Sequence, residues 1–207
     1  MTRFVQGAFK CMVSRFGGML MITALLSSNL CLADPQSDYE AGFKAYQVHD
    51  LVKAMTLLEQ AGLEGHPAAQ VLLGYIYDIA EENEKAVHWY QMAADQGDAE
   101  GMRYLGEKYL LGEGIEQQND VALELIARAA EAGSTLAMRQ LASQHESGVI
   151  MDHEKAVYWY RMAAQNGDAV SSRRLAKAYE NGELGLEKNL EKAARFKPDQ
   201  TAKDEGQ

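Results

Sequence analysis

Cysteine is almost missing from this chain: there are two among 207 residues, Cys11 and Cys31, and none after position 31. If the first 33 residues are removed, disulfides and thiol nucleophiles are both excluded from what remains. Proline is nearly as scarce, with three, and runs of β-branched residues are few. Abundant Ala, Leu, Met, Glu and Gln fill their place, and the balance predicts helices throughout. Basic charge is also short, 20 Lys and Arg against 30 Asp and Glu, for a net charge of −10. That deficit argues against a nucleic-acid or anionic-membrane binder and leaves proteins, cations or neutral glycans as partners. The 47 % apolar and 24 % charged content is that of an ordinary globular protein, long enough to bury a core in one or two domains.

Reactive constellations are absent as well. His145-Glu146 and His153-Glu154 both lack the second histidine of a zinc-protease helix, and no G-x-S-x-G, S-x-x-K or phosphate loop occurs. His145, Asp152, His153 and Glu154 could gather at one loop, but a charged loop beside a packing histidine accounts for them. The expectation is a chain with no catalytic residues, no cofactor and no metal.

The first 33 residues differ from the rest. Arg3, Lys10 and Arg15 precede an uncharged stretch from Phe16 to Ala33, which ends in "CLAD", and no acidic residue occurs in the segment. This is the layout of a signal peptide cleaved after Ala33, and it predicts a periplasmic or secreted protein. An uncleaved anchor is the alternative, because 18 residues lie at the lower edge of what spans a bilayer. Cleavage would leave 17 basic against 30 acidic side chains, a net charge of about −13.

Past residue 33 the chain repeats itself. "EKAVHWYQMAADQGDA" (84–99) returns as "EKAVYWYRMAAQNGDA" (154–169), and weaker copies stand between and around them. Aligned on one alanine, the copies place Ala54, Ala86, Ala122, Ala156 and Ala193 at spacings of 32, 36, 34 and 37. Eleven residues after each of the first four comes a glycine, and nineteen after each comes Leu73, Leu105, Leu141 or Leu175. Small and large apolar residues recur at i, i+3, i+4, i+7 and i+8, so each unit reads as a helix pair. Five hairpins are predicted, at about 38–65, 66–97, 98–133, 134–167 and 168–196, with Ser37 and Glu40 at capping-box spacing before the first. The polar tail 198–207 has no periodicity and is expected to be disordered.

"AAQVLLGYIY" (68–77), "AEGMRYLGEKYLLGEGIEQQNDVALELIARAAEAG" (99–133) and "KAVYWYRMAAQNGDA" (155–169) make the chain resemble Sel1-like repeats, relatives of tetratricopeptide repeats. The resemblance covers roughly 38–196. It departs from the pattern where the first unit lacks the G-x-G loop, where Ala142 and His145 replace Gly and Tyr, and where "LELI" replaces the aromatic pair. It implies an all-α fold, a right-handed α-solenoid of about five stacked helix-turn-helix units. A lone hairpin cannot bury enough surface to offset its own ordering, so neighbours must stack. Ala54, Ala86, Ala122 and Ala156 are expected where helices cross at about 8–10 Å, and Trp89, Tyr90, Trp159 and Tyr160 are expected as filling between hairpins.

In this repeat class the first helix of each pair usually lines a concave face, and the residue two before the leucine points into it. Those positions are Val71, Arg103, Arg139 and Arg173, followed one turn on by Tyr75, Glu107, Ser143 and Lys177. An arginine ladder there suits the carboxylates of an acidic segment or C-terminus. The competing reading is that the same arginines neutralise Glu100, Glu107 and Glu146 on neighbouring turns. The resulting expectation is an exported, non-enzymatic adaptor that binds a protein or peptide and no nucleic acid, and that meets a membrane only through an uncleaved leader. A cell-wall-related enzyme or binder and a self-associating envelope protein are the alternatives, with oligomeric state open.

Overall fold

The computed structural model describes residues 34–148 and 151–197; the expected leader 1–33 and polar tail 198–207 lie outside them. Ten helices, and no strand, occur among the described residues. They are α1 (Pro35–Gln47), α2 (Leu51–Leu63), α3 (Pro67–Ile79), α4 (Asn83–Asp95), α5 (Ala99–Leu111), α6 (Asn119–Glu131), α7 (Thr135–Ser147), α8 (His153–Gln165), α9 (Ala169–Asn181) and α10 (Leu190–Phe196). Each odd-numbered helix packs on the even-numbered one after it, and each even-numbered helix packs on the first helix of the next pair. The result is an all-α solenoid of five hairpins.

The near-duplicate "AA..GDA" segments turn out to be instructions for stopping one helix and starting another. At the end of α4 the Gly97 N–H donates to the Ala94 carbonyl at 2.9 Å and the Asp98 N–H to that of Ala93 at 3.1 Å. This pairing closes a helix when the residue after its C-cap turns left-handed, and Gly97 does so at φ 80°. Asp98 then caps α5, its carboxylate accepting from the Gly101 N–H at 2.8 Å. Gly167 and Asp168 repeat the same bonds between α8 and α9. Identical short turns fix identical pair geometry, and that lets the hairpins stack in register.

One helix start differs from expectation. The first helix does not open at Ser37 but at Pro35, capped by Asp34, whose side chain accepts from the Gln36 N–H. An acceptor side chain followed by a proline already held at helical φ makes a stronger start than the Ser37-Glu40 box. Glu40 instead accepts from the Gln36 side chain at 2.8 Å.

Ala54, Ala86, Ala122 and Ala156 are fully buried, and Leu73, Leu105, Leu141 and Leu175 are buried beside them. Gly74 shows why small residues are needed. A Cβ there would stand 2.5 Å from the Tyr90 ring, so the α3 backbone lies directly on the aromatic face. Trp89 reaches back to the preceding hairpin, with its Cζ3 2.9 Å from where a Cβ on Gly62 would be. Trp89, Tyr90 and Tyr160 are buried, while Trp159 is partly buried and packs against both of the apolar clusters that make up the core. In the third hairpin Ile126 takes the place of the aromatic residue and packs under Gly106.

Candidate functional site

The first helices of successive hairpins share a face on which a groove of about 430 Å³ opens. Its walls are Tyr39 and Phe43 from α1, Val71, Leu72 and Tyr75 from α3, and Tyr104 from α5, with Asp98 and Glu100 at one side. Helical spacing brings these residues together, since Tyr39 and Phe43, like Val71 and Tyr75, are four apart and stand over one another on their helices. Phe43 and Tyr75 are 39 % and 38 % exposed, apolar surface that the fold leaves uncovered. The Tyr104 ring is held from behind by Tyr90, stacked at 4.8 Å, and by the Arg103 guanidinium 3.7 Å from its centroid. Of these wall residues, Tyr75 alone was expected to contact a partner. Tyr39, Phe43 and Tyr104 could have been found from the i, i+4 pairing in the first hairpin and from an aromatic ring beside the ladder position.

The three ladder arginines meet three different fates. Arg103 is buried between two carboxylates of its own helix, with Nε 2.7 Å from Glu100 and Nη1 2.8 Å from Glu107. Burial disfavours its charge, but the two carboxylates outweigh that and hold its pKa above the ordinary value. The same carboxylates also accept from Ser134 at 2.5 Å and Gln140 at 2.6 Å. This middle section of the face is closed on itself. Arg139 pairs with Asp168, the cap of α9, at 2.8 Å. Asp168 is held below the usual carboxylate range, because hydrogen bonds from Ser171 and the charge of Arg139 outweigh its burial. Arg173 and Lys177, one turn apart on α9, are exposed, and neither forms an ion pair among the described residues. Glu146, the third carboxylate considered for the ladder, is taken by Arg174 at 2.6 Å. Val71 and Tyr75 line the aromatic groove, and Arg139 and Ser143 line a second depression of about 330 Å³ with Gln140, Tyr160, Val170 and Arg174. Arg173 and Lys177 occupy the same two positions on α9.

Among the described residues, no group of three or more His, Cys, Asp or Glu side chains is placed to hold a metal ion. Asp152 caps α8, its carboxylate accepting from the Lys155 N–H at 3.0 Å and pairing with the Lys155 ammonium at 3.4 Å. No helix of the described residues is long and apolar enough to cross a membrane.

With that geometry established, known proteins place the chain. A family model described as Sel1 repeat matches residues 38–66, 67–98, 99–134, 135–168 and 169–196, one match for each hairpin. The chitin synthase regulator SKT5 of Saccharomyces cerevisiae is 34% identical over 139 residues, which make up 63% of this chain and 20% of that regulator. The crystal structure of a Sel1 repeat protein from Oxalobacter formigenes superposes with a TM-score of 0.71 at 27% identity, covering 79% of this chain and 71% of the other. That of c5321, a protective antigen of uropathogenic Escherichia coli with an SLR fold, does so at 0.68 and 26%, covering 78% of this chain and 37% of the antigen. The chain spans between 14% and 27% of the length of the curated relatives it matches. Five consecutive repeats, matched one by one in sequence and together in structure, establish that the chain belongs to the Sel1 repeat family.

Proposed function

We propose that this protein is an exported, non-enzymatic adaptor that holds a segment of a partner protein along the face formed by α1, α3, α5, α7 and α9. The exposed aromatic groove of Tyr39, Phe43, Val71, Leu72, Tyr75 and Tyr104 carries the reading. Uncovered rings lining a concavity lower the free energy most when another apolar side chain displaces their water. A relative named as a regulator of another protein fits the same role. Export rests on the basic, then uncharged, first 33 residues. Cleavage after Ala33 would leave Asp34, the residue that caps α1, at the start of the chain.

Two measurements test this. A photo-crosslinking amino acid placed at Tyr75 should give discrete adducts with a partner in the cells that make the protein, and one placed at Leu123, exposed on α6, should not. Equal adducts at both positions would remove the groove from the argument, and hydrolysis of peptidoglycan by the pure protein would remove the adaptor. Terminal sequencing should find the cellular protein beginning at Asp34; an intact Met1 on protein in the cytosol would remove export.

A further inference from the structure

The shared face has three unlike sections. At one end lies the aromatic groove across α1, α3 and α5. In the middle, Arg103, Glu100, Glu107, Ser134 and the Gln140 side-chain N–H bond to one another and present no unpaired charge, leaving only the buried Gln140 Oε1 without a hydrogen-bond partner. At the far end, Arg173 and Lys177 stand exposed on α9 without an ion pair among the described residues, on the helix whose Val170 and Arg174 line a depression with Arg139 and Ser143. In a chain of net charge −10, two adjacent exposed cations that form no ion pair among the described residues, Lys177 acting on Glu183 only at longer range, run against the general field. Elsewhere on the solenoid, buried or half-buried cations such as Arg103, Lys108, Arg139 and Arg174 are each matched by a carboxylate.

We infer that the face recognises an extended peptide segment carrying a bulky apolar or aromatic side chain and, about seven or more residues away, a cluster of carboxylates; this rests on the adaptor reading. The aromatic groove is centred on α3, and α9 lies three first helices further along. Consecutive first helices are bridged by the second helix between them and stand no closer than the about 8–10 Å of packed helices, so along the face the two ends are roughly 24 Å or more apart. An extended chain advances about 3.3 Å per residue, so about seven residues or more span that distance. The side chain at one end fills the ring-lined cavity. The carboxylates at the other end meet the fork of Arg173 and the ammonium of Lys177, with Arg139 able to share its charge between Asp168 and the ligand. The charges of the middle section are already paired with one another, so the spacer need not supply any. Acidic residues at one end only also explain how an acidic protein can take an acidic ligand: the ligand's charge is confined to the place where the protein's own is reversed.

The test pans the protein, in the form in which its cells produce it, against random 16-residue peptides displayed on phage. Enriched sequences should carry Trp, Tyr, Phe or Leu and, about seven or more positions away, at least two Asp or Glu. The most enriched sequence, made as a labelled peptide, should lose affinity at least tenfold by fluorescence anisotropy in the Arg173→Glu/Lys177→Glu variant and again in Tyr75→Ala. Raising the salt concentration should weaken binding to the wild type more than to the charge-reversed variant. Because Arg173 and Lys177 are exposed and bear no internal ion pair, helicity and melting should not change; if they do, Arg173→Gln/Lys177→Gln replaces the reversal. Enriched peptides without the acidic cluster, or binding indifferent to both variants, would overturn the inference and leave the adaptor reading standing. Failure to enrich any peptide also overturns it, and the adaptor reading falls separately, when crosslinks at Tyr75 are absent too.

Discussion

The two near-identical segments 84–99 and 154–169 sit in unlike surroundings. Tyr90 is sealed in an apolar setting, stacked on Tyr104, and its hydroxyl is buried without a hydrogen-bond partner. Tyr160, its counterpart 70 residues on, donates its hydroxyl to Glu146 at 2.7 Å. The residue 70 after Tyr104 is Arg174, and Arg174 grips Glu146 and Glu183. In the earlier copy the equivalent carboxylates, Asp78 and Glu113, are gripped from one turn further along by Lys108, which also reaches Asn83 at 3.2 Å. Both copies therefore pin one hairpin to the next with a cation between two carboxylates, but they place the cation differently. Moving it by one turn decides whether the tyrosine meets a ring or an ion pair. A repeat can thus preserve its backbone contacts and still exchange apolar for polar packing at the same joint.

The largest effect should come from cutting the pins. Lys108 is 5 % exposed and Asp78 28 %, so Lys108→Met leaves a carboxylate poorly solvated and should cost about 2–4 kcal/mol. Burial lowers the tendency of Lys108 to hold its proton, yet Asp78 and Glu113 outweigh it and keep its pKa above the ordinary value. Arg174 and Glu146 are wetter, at 21 % and 25 %, and Arg174→Met should cost about 1–2 kcal/mol. Urea midpoints followed by circular dichroism measure both. An equal or reversed ranking would mean that something other than burial of the cation sets the strength of the joint.

A smaller effect, with opposite signs in the two copies, should follow when the hydroxyls are removed. Tyr160→Phe loses the bond to Glu146 and should destabilise by about 0.5–1.5 kcal/mol. Tyr90→Phe removes a buried oxygen that has no partner and should leave stability at or above that of the parent. The same melting experiment compares them. Equal losses in both would show that the Tyr90 hydroxyl is satisfied after all.

The difference between the copies also shows what could be read from residues alone. The small positions facing large ones, Gly74 against Tyr90 and Gly106 against Ile126, were legible as a register because every hairpin meets the same neighbours across the same turns. The turn itself was legible, since a left-handed glycine followed by a capping aspartate has few other uses. The ladder of Arg103, Arg139 and Arg173 was legible as a spacing but not as a surface. Arg103 finds its carboxylates three and four residues away on its own helix, which the sequence shows directly. Arg139 finds Asp168 29 residues on, across a joint whose geometry only the folded chain supplies. The aromatic groove draws one helix from each of three hairpins, so no single repeat announces it.

The smallest difference should emerge in acid. Burial pushes the Glu146 carboxyl up, but hydrogen bonds from Arg174 and Tyr160 outweigh it and hold its pKa below the usual range. A carboxylate whose folded pKa is depressed adds stability that is complete above its unfolded value, about 4.3, and that is lost as pH falls through the folded value. Wild-type stability should therefore fall as the medium is taken from pH 5 to pH 3. Glu146→Gln should be less stable at pH 7 by about 1 kcal/mol and should fall less steeply over that window, so the two curves converge in acid. Urea midpoints at pH 7, 5, 4 and 3 follow both proteins. Parallel curves would mean that the Arg174 grip adds nothing that protonation can remove, and the joint of the later copy would then be packing alone, unlike the earlier one, which Lys108 pins.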